Sequence, residues 1–170
     1  MLLVVDASVL IDYAKSDLDV LGMAARHLGK VHVPGIIVDE VAQIDASKCA
    51  DLGITVVEAT DEQIQTAAQR RPGLSFQDNL CLLLARQNGW TCVSNDKRLR
   101  QACADDGLDV MWGLQMMVEL IERGQLDAAE ALRVARVMQQ NNPYGITDAV
   151  MARFRQRVSK LIPGHKAKRR

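Results

Sequence analysis

With 170 residues, the chain fits one compact domain with room for a helical appendage, and it is long enough to bury a core. Hydrophobic residues make up 48% and charged residues 25% at zero net charge, and an aromatic content of 4% excludes an extended wall of stacking platforms for single-stranded nucleic acid. No apolar run approaches the ~18 residues of a membrane span, and the apolar start carries Asp6 with no basic segment ahead of it, so neither span nor signal peptide is expected and the sequence reads as cytoplasmic.

Leu2-Leu3-Val4-Val5 is a short continuous apolar run, the pattern of a strand buried on both faces. Helical periodicity follows over 7–15 and 18–29. Val31-His32-Val33 forms a brief strand ended by Pro34-Gly35, and a helix is expected over 36–46. A strand over 54–57 precedes a helix over 61–70 that Thr60 caps and Arg71-Pro72-Gly73 ends. The next helix runs over 76–88 and stops at Asn88-Gly89; strand 91–93, helix 97–105 and strand 109–112 follow. Strands alternating with helices predict a three-layer α/β/α fold with a central parallel sheet. Beyond Trp112 the strand pattern stops, and 113–124, 127–140 and 147–160 read as three amphipathic helices punctuated by Gly124 and Asn142-Pro143-Tyr144-Gly145. These form a C-terminal helical extension, 113–162, expected to pack on the α/β body of 1–112, with a basic flexible tail at 163–170.

Charge is unevenly spread. Residues 153–170 carry eight Lys or Arg and no acid, whereas 1–152 carry 13 basic and 21 acidic groups. Such asymmetry suits either an arm for an anionic polymer or a solvated tail. Cys49, Cys81, Cys92 and Cys103 show no C-x-x-C spacing and have only three histidines to partner them, which argues against a zinc site and for core thiols in a reducing compartment. The methionines between 111 and 151 read as core filler.

In an open parallel sheet, sites form beyond the carboxyl ends of the strands. Asp6 ends the first strand and Asp96 follows the 91–93 strand, so both face that crevice, although each also precedes a helix and suits an N-cap. Asp78 stands three residues after Ser75, a capping-box spacing that also puts a carboxylate on the first turn of a helix at the same rim. Glu40 falls between Ile36 and Ile44 at i±4 spacing, at the edge of the apolar stripe of the expected 36–46 helix. Asp12 points away from the first turn and is a candidate only for a supporting role. Converging carboxylates repel unless protonated or neutralised, so a cluster calls for hard cations, and oxygen ligands without Cys or His select Mg²⁺ or Mn²⁺. Such ions can activate water for in-line attack on phosphate without a Gly-rich phosphate loop, which this sequence lacks. Arg98 and Arg100, just after the fourth acid, could grip RNA phosphates or simply line a solvated helix face.

At these residues the sequence resembles the PIN-domain family. Val4-Val5-Asp6-Ala7-Ser8 is similar to the family's opening strand, and Leu74-Ser75-Phe76-Gln77-Asp78 to its third-acid helix. Val93-Ser94-Asn95-Asp96 is similar to the segment with a Ser or Thr two residues before the fourth acid, and Glu40 fits the second acid. The resemblance covers about 1–112 and implies a PIN-like catalytic domain: a metal-dependent endoribonuclease with Asp6, Glu40, Asp78 and Asp96 as metal-holding catalytic acids and Ser8 and Ser94 as supporting hydroxyls. Bacterial VapC-like toxins are common members, so the implied partners are an RNA substrate, a small antitoxin protein and a second copy in a homodimer, with no membrane.

A phosphatase using Asp6 as nucleophile would want a second Asp at the place of Ser8, and a receiver domain would want an acid pair on the first strand. The remaining alternatives are a non-catalytic PIN-like module that binds RNA or protein, and an RNA-processing nuclease that is not a toxin. The presence of all four acids argues against an idle scaffold, because an unused cluster only destabilises the fold.

Overall fold

Leu3, Val4 and Val5 are fully buried, as a strand covered on both faces must be, and β1 (Leu2–Val5) is the middle strand of the sheet. The computed structural model describes residues 1–69 and 71–162. After β1 come α1 (Ala7–Ala14), α2 (Leu18–His27), β2 (Lys30–Pro34), α3 (Gly35–Val38), α4 (Ala46–Asp51) and β3 (Ile54–Val57). The chain continues through α5 (Asp61–Ala68), α6 (Phe76–Asn88), β4 (Thr91–Val93), α7 (Lys97–Asp105) and β5 (Val110–Met111). Three helices close it: α8 (Gly113–Glu122), α9 (Ala128–Asn141) and α10 (Asp148–Leu161). The basic tail expected at 163–170, and Arg70 at the end of the expected 61–70 helix, lie outside the described residues.

All five strands pair in parallel in the order β3-β2-β1-β4-β5. The right-handed rule for parallel crossovers puts α1 and α2, with α8 against α2, on one face, and α6, flanked by α5 and α7, on the other. This is the three-layer α/β/α arrangement. Winding runs outward from β1 through β2 to β3 on one side and from β4 to β5 on the other. The reversal falls between β1 and β4, and in such sheets the crevice at that switch point is where ligands bind. Register there pairs Leu3 with Thr91 and Val5 with Val93, so both strands end at the same level.

The chain beyond β5 shares the same core. Met117 and Leu120 of α8, Val134 and Met138 of α9, and Phe154 and Val158 of α10 join one apolar cluster with Leu3, Val5 and Leu10. Helix ends follow local chemistry: α6 stops where Gly89 takes φ +66°, a left-handed conformation that a side chain would resist.

One element differs from the sequence reading. The helix expected over 36–46 ends at Val38, and the chain turns through 39–45 before α4 begins. Backbone bonds from Glu40 to Ile37 and from Val41 to Val38 are tight i→i+3 turns, and Asp45 starts a new helix by accepting the Lys48 N–H. Ile36, Ile37, Val38 and Val41 are β-branched and give a helix little intrinsic support, so local caps prevail over the apolar spacing. β5 is likewise shorter than the strand expected over 109–112.

Candidate active site

Asp6 anchors the crevice. It N-caps α1, its Oδ1 accepting the Val9 N–H at 2.8 Å, while its own N–H donates to the Val93 carbonyl of β4 at 3.1 Å. Two hydroxyls donate to its carboxylate: Ser8 Oγ, 2.9 Å from either oxygen, and Ser94 Oγ to Oδ2. The side chain is about 1% exposed and has no cationic partner among the described residues. Burial pushes its carboxyl up, the Ser94, Val9 and Ser8 hydrogen bonds pull it down and the charge of Asp78 pushes it up, for a net rise to about 6.

Asp96 N-caps α7 through Oδ1, which accepts the Leu99 N–H at 2.9 Å. Its own N–H donates at 2.9 Å to Ser94 Oγ, the hydroxyl that binds Asp6. Asp78 forms a capping box with Ser75: Oδ2 accepts the Ser75 N–H at 2.9 Å and the Asp78 N–H donates to Ser75 Oγ at 3.1 Å. Glu40, in the turn after α3 and not on a helix stripe, is exposed; its Oε1 accepts from Gln77 Nε2 at 2.7 Å, which ties it to the residue before Asp78.

Ser94 thus brings Asp6 and Asp96 together and electrostatics couples Asp6 to Asp78, while Glu40 lies further out at the surface. Among the described residues, no three His, Cys, Asp or Glu side chains stand close enough, as placed, to hold a metal ion. The donor chemistry nonetheless suits a hard cation. Asp78 Oδ1 and Asp96 Oδ2 accept no protein hydrogen bond among the described residues, and Asp6 is buried without a direct ion pair, Arg100 acting on it only through the field of its charge.

The two arginines diverge. Arg98 is exposed, beside Gly73. Arg100 is half-buried and turns back, donating from Nη1 to the Ser94 carbonyl at 2.8 Å, with its guanidinium carbon 5.1 Å from the Trp112 ring centroid.

A supporting network was only partly legible. Asn95 donates to Asp12 Oδ2 at 2.7 Å, accepts the Gly113 N–H at 3.0 Å and offers its own N–H to Ser8 Oγ at 3.3 Å. Asn142, after α9, donates to Asp12 Oδ1 at 3.0 Å. Asp12 is therefore buried between two amides, with its carboxyl raised by that burial, and it braces the loop between Ser94 and Asp96. Asn95 and Asn142 carry no sequence signal for this, beyond Asn95 lying between two site residues.

The family model of the PIN domain matches residues 2–160. The chain belongs to the PIN-domain family. A PIN domain is a nuclease fold, and PIN nucleases typically use divalent metals. The match runs through α8, α9 and α10, so in this PIN domain the C-terminal helices lie within the matched region. No curated protein matches the chain. Among the described residues, no helix of this PIN domain is long and apolar enough to cross a membrane.

Proposed function

We propose that this PIN domain is an endoribonuclease that hydrolyses RNA phosphodiester bonds with Mg²⁺ or Mn²⁺. The observation that carries the reading is the buried Asp6 at the switch point, without a direct ion pair and joined to Asp96 through one hydroxyl. Asp6, Asp78 and Asp96 would hold the cation, with Glu40 closing the set from the surface side through Gln77. A bound divalent ion supplies Lewis acidity for attack of water on phosphorus. Ser8 and Ser94 keep the Asp6 carboxylate fixed and ionised. Arg100, held at the Ser94 carbonyl, and the exposed Arg98 present positive charge to the phosphates.

The test is cleavage of a mixed-sequence RNA by the purified chain with Mg²⁺, with Mn²⁺ and with EDTA, set beside Asp6→Asn and Asp96→Asn. Metal-dependent cleavage that either substitution abolishes supports the reading; cleavage at wild-type rate by either variant overturns it.

The biological role proposed is that of the toxin in a type II toxin-antitoxin pair, acting in the cytoplasm and silenced by a small antitoxin protein. It rests on the resemblance of the Asp6, Glu40, Asp78 and Asp96 segments to the PIN-domain family, of which VapC-like toxins are common members. Induced expression should arrest bacterial growth, and co-expression of a small protein encoded beside it should relieve the arrest. Unimpeded growth with abundant folded protein would leave an RNA-processing nuclease instead.

A further inference from the structure

Beside the carboxylates, the C-terminal helices open a second feature. Trp112 ends the strand region and Gly113 begins α8; across from them, α10 brings Arg153, whose guanidinium carbon lies 4.3 Å from the Trp112 ring centroid. Between α8 and α10 lies a cavity of about 210 Å³ with Leu114, Val118 and Phe154 as apolar lining and Arg153 and Arg157 at its border. Among the described residues, no acidic side chain lines it. Arg153 and Arg157 are exposed, and neither forms an ion pair among the described residues.

Two side-chain contacts tie the groove to the candidate active site. Arg100 reaches Ser94 with one guanidinium nitrogen and approaches Trp112 with the same group. Gly113, next to Trp112, donates its N–H to Asn95 in the site loop. An aromatic ring under a guanidinium plane, an apolar floor and arginines without acids match one chemistry closely: a flat nucleobase carrying a phosphate on either side. Bases stack on aromatic rings and on guanidinium planes alike, and arginine holds phosphate in bidentate fashion. The cavity has room for a single base and is too small for a packed helix.

We propose that the groove between α8 and α10 is a nucleotide subsite that holds a base of single-stranded RNA next to the nucleotide at the carboxylates, the base stacking on Trp112 in place of the Arg153 guanidinium that covers the ring here, with Arg100, Arg153 and Arg157 on the flanking phosphates. This rests on the nuclease reading for its substrate, and it gives the helices beyond β5 a role: they form the wall that grips the strand.

The test is binding of a fluorescein-labelled single-stranded RNA oligonucleotide in EDTA, followed by anisotropy over a series of salt concentrations, so that no cleavage is needed. Arg153→Gln with Arg157→Gln should weaken binding and lower the log–log salt slope by about 1.4, roughly 0.7 for each lost phosphate contact. Lys48→Gln, an exposed site on α4 beside the edge strand β3, should leave the slope unchanged. Trp112→Leu should weaken binding roughly tenfold or more. An oligonucleotide with abasic positions should bind wild type more weakly than the intact one, and Trp112→Leu should not distinguish the two. Melting curves confirm that each variant is folded; the two arginines are exposed, so that pair stays informative even if Trp112→Leu unfolds.

An unchanged slope in the arginine pair overturns the subsite. So does equal binding of abasic and intact strands to wild type, which would mean an anion-binding surface, or oligonucleotide binding indifferent to all these changes, which would leave the groove to a protein partner. If the chain cleaves RNA yet these variants bind normally, the subsite falls and the nuclease stands. If it cleaves nothing yet binding depends on Trp112 and the arginines, the nuclease falls and the subsite stands.

Discussion

The Ser94 hydroxyl donates its proton to Oδ2 of Asp6 while its oxygen accepts the Asp96 N–H at 2.9 Å, so one side chain fixes two carboxylate positions. Replacing it strips a buried anion of a donor and a backbone N–H of its acceptor. Ser94→Ala should therefore cost roughly 1–3 kcal/mol in urea unfolding at pH 7. Because the Ser94 bond favours the ionised form of Asp6, the loss should shrink as pH falls below about 6. A loss equal at pH 5 and pH 8 would contradict this account.

Asp6 itself works against the metal-free fold. Its carboxyl is raised from 3.8 to about 6, so between those values the folded state binds more protons than the unfolded state. A raised folded-state value means a contribution fully present below the unfolded value and lost as pH rises through the folded one. In EDTA, Asp6→Asn should thus gain on wild type by up to about 3 kcal/mol between pH 4 and pH 7, since one unit corresponds to about 1.36 kcal/mol. A difference between the two proteins that stays flat over that range would refute the burial argument.

Divalent ions should act in the opposite direction to proton loss. If Mg²⁺ or Mn²⁺ binds the folded carboxylates alone, the melting temperature should rise with metal concentration and the rise should be absent in Asp96→Asn. Identical melting curves in EDTA and in millimolar metal would count against a cation at these side chains.

Gly113 is crowded against the site loop. A Cβ there would come within 3.0 Å of both Asn95 side-chain polar atoms and 3.1 Å of Val9 Cγ2. Asn95 cannot yield without loosening its bonds to Asp12 and to the Gly113 backbone. Gly113→Ala should lower stability by about 1–3 kcal/mol and slow cleavage, because the displaced Asn95 flanks Asp96. An active, fully stable Gly113→Ala protein would show that the 94–96 loop does not depend on this brace.

What was legible in the sequence follows the range of the forces involved. The run Leu2 to Val5 declares a doubly covered strand because burial on both faces leaves no polar alternation, and Asp6 and Asp96 sit where strand ends give way to helix caps. Ser75 and Asp78 are readable as a capping box because all its bonds lie within four residues. The reading of 36–46 as one helix failed because apolar spacing there reflects burial of a turn, with Val38, Val41 and Ile44 all pointing inward from tight bends. Glu40 consequently meets the site through Gln77 and not through a helix stripe. The pairing of Asp12 with Asn142, 130 residues apart, and of Trp112 with Arg153 is tertiary, and no periodicity records it.

That spread along the chain has a consequence during synthesis. Asp6 leaves the ribosome 88 residues before Ser94, and Asn142, which fastens Asp12, emerges later still. A nascent polypeptide that has exposed only β1 to α6 holds Asp6 without the hydroxyl of Ser94 and without its neighbour strand β4. Such non-local closure is slow relative to the formation of the helices on either side. Alignment of Asp12 and Asp6 therefore waits until Ser94 and then Asn142, just past α9, have been translated and docked, so that incomplete translation products carry the acids without the partners that position them.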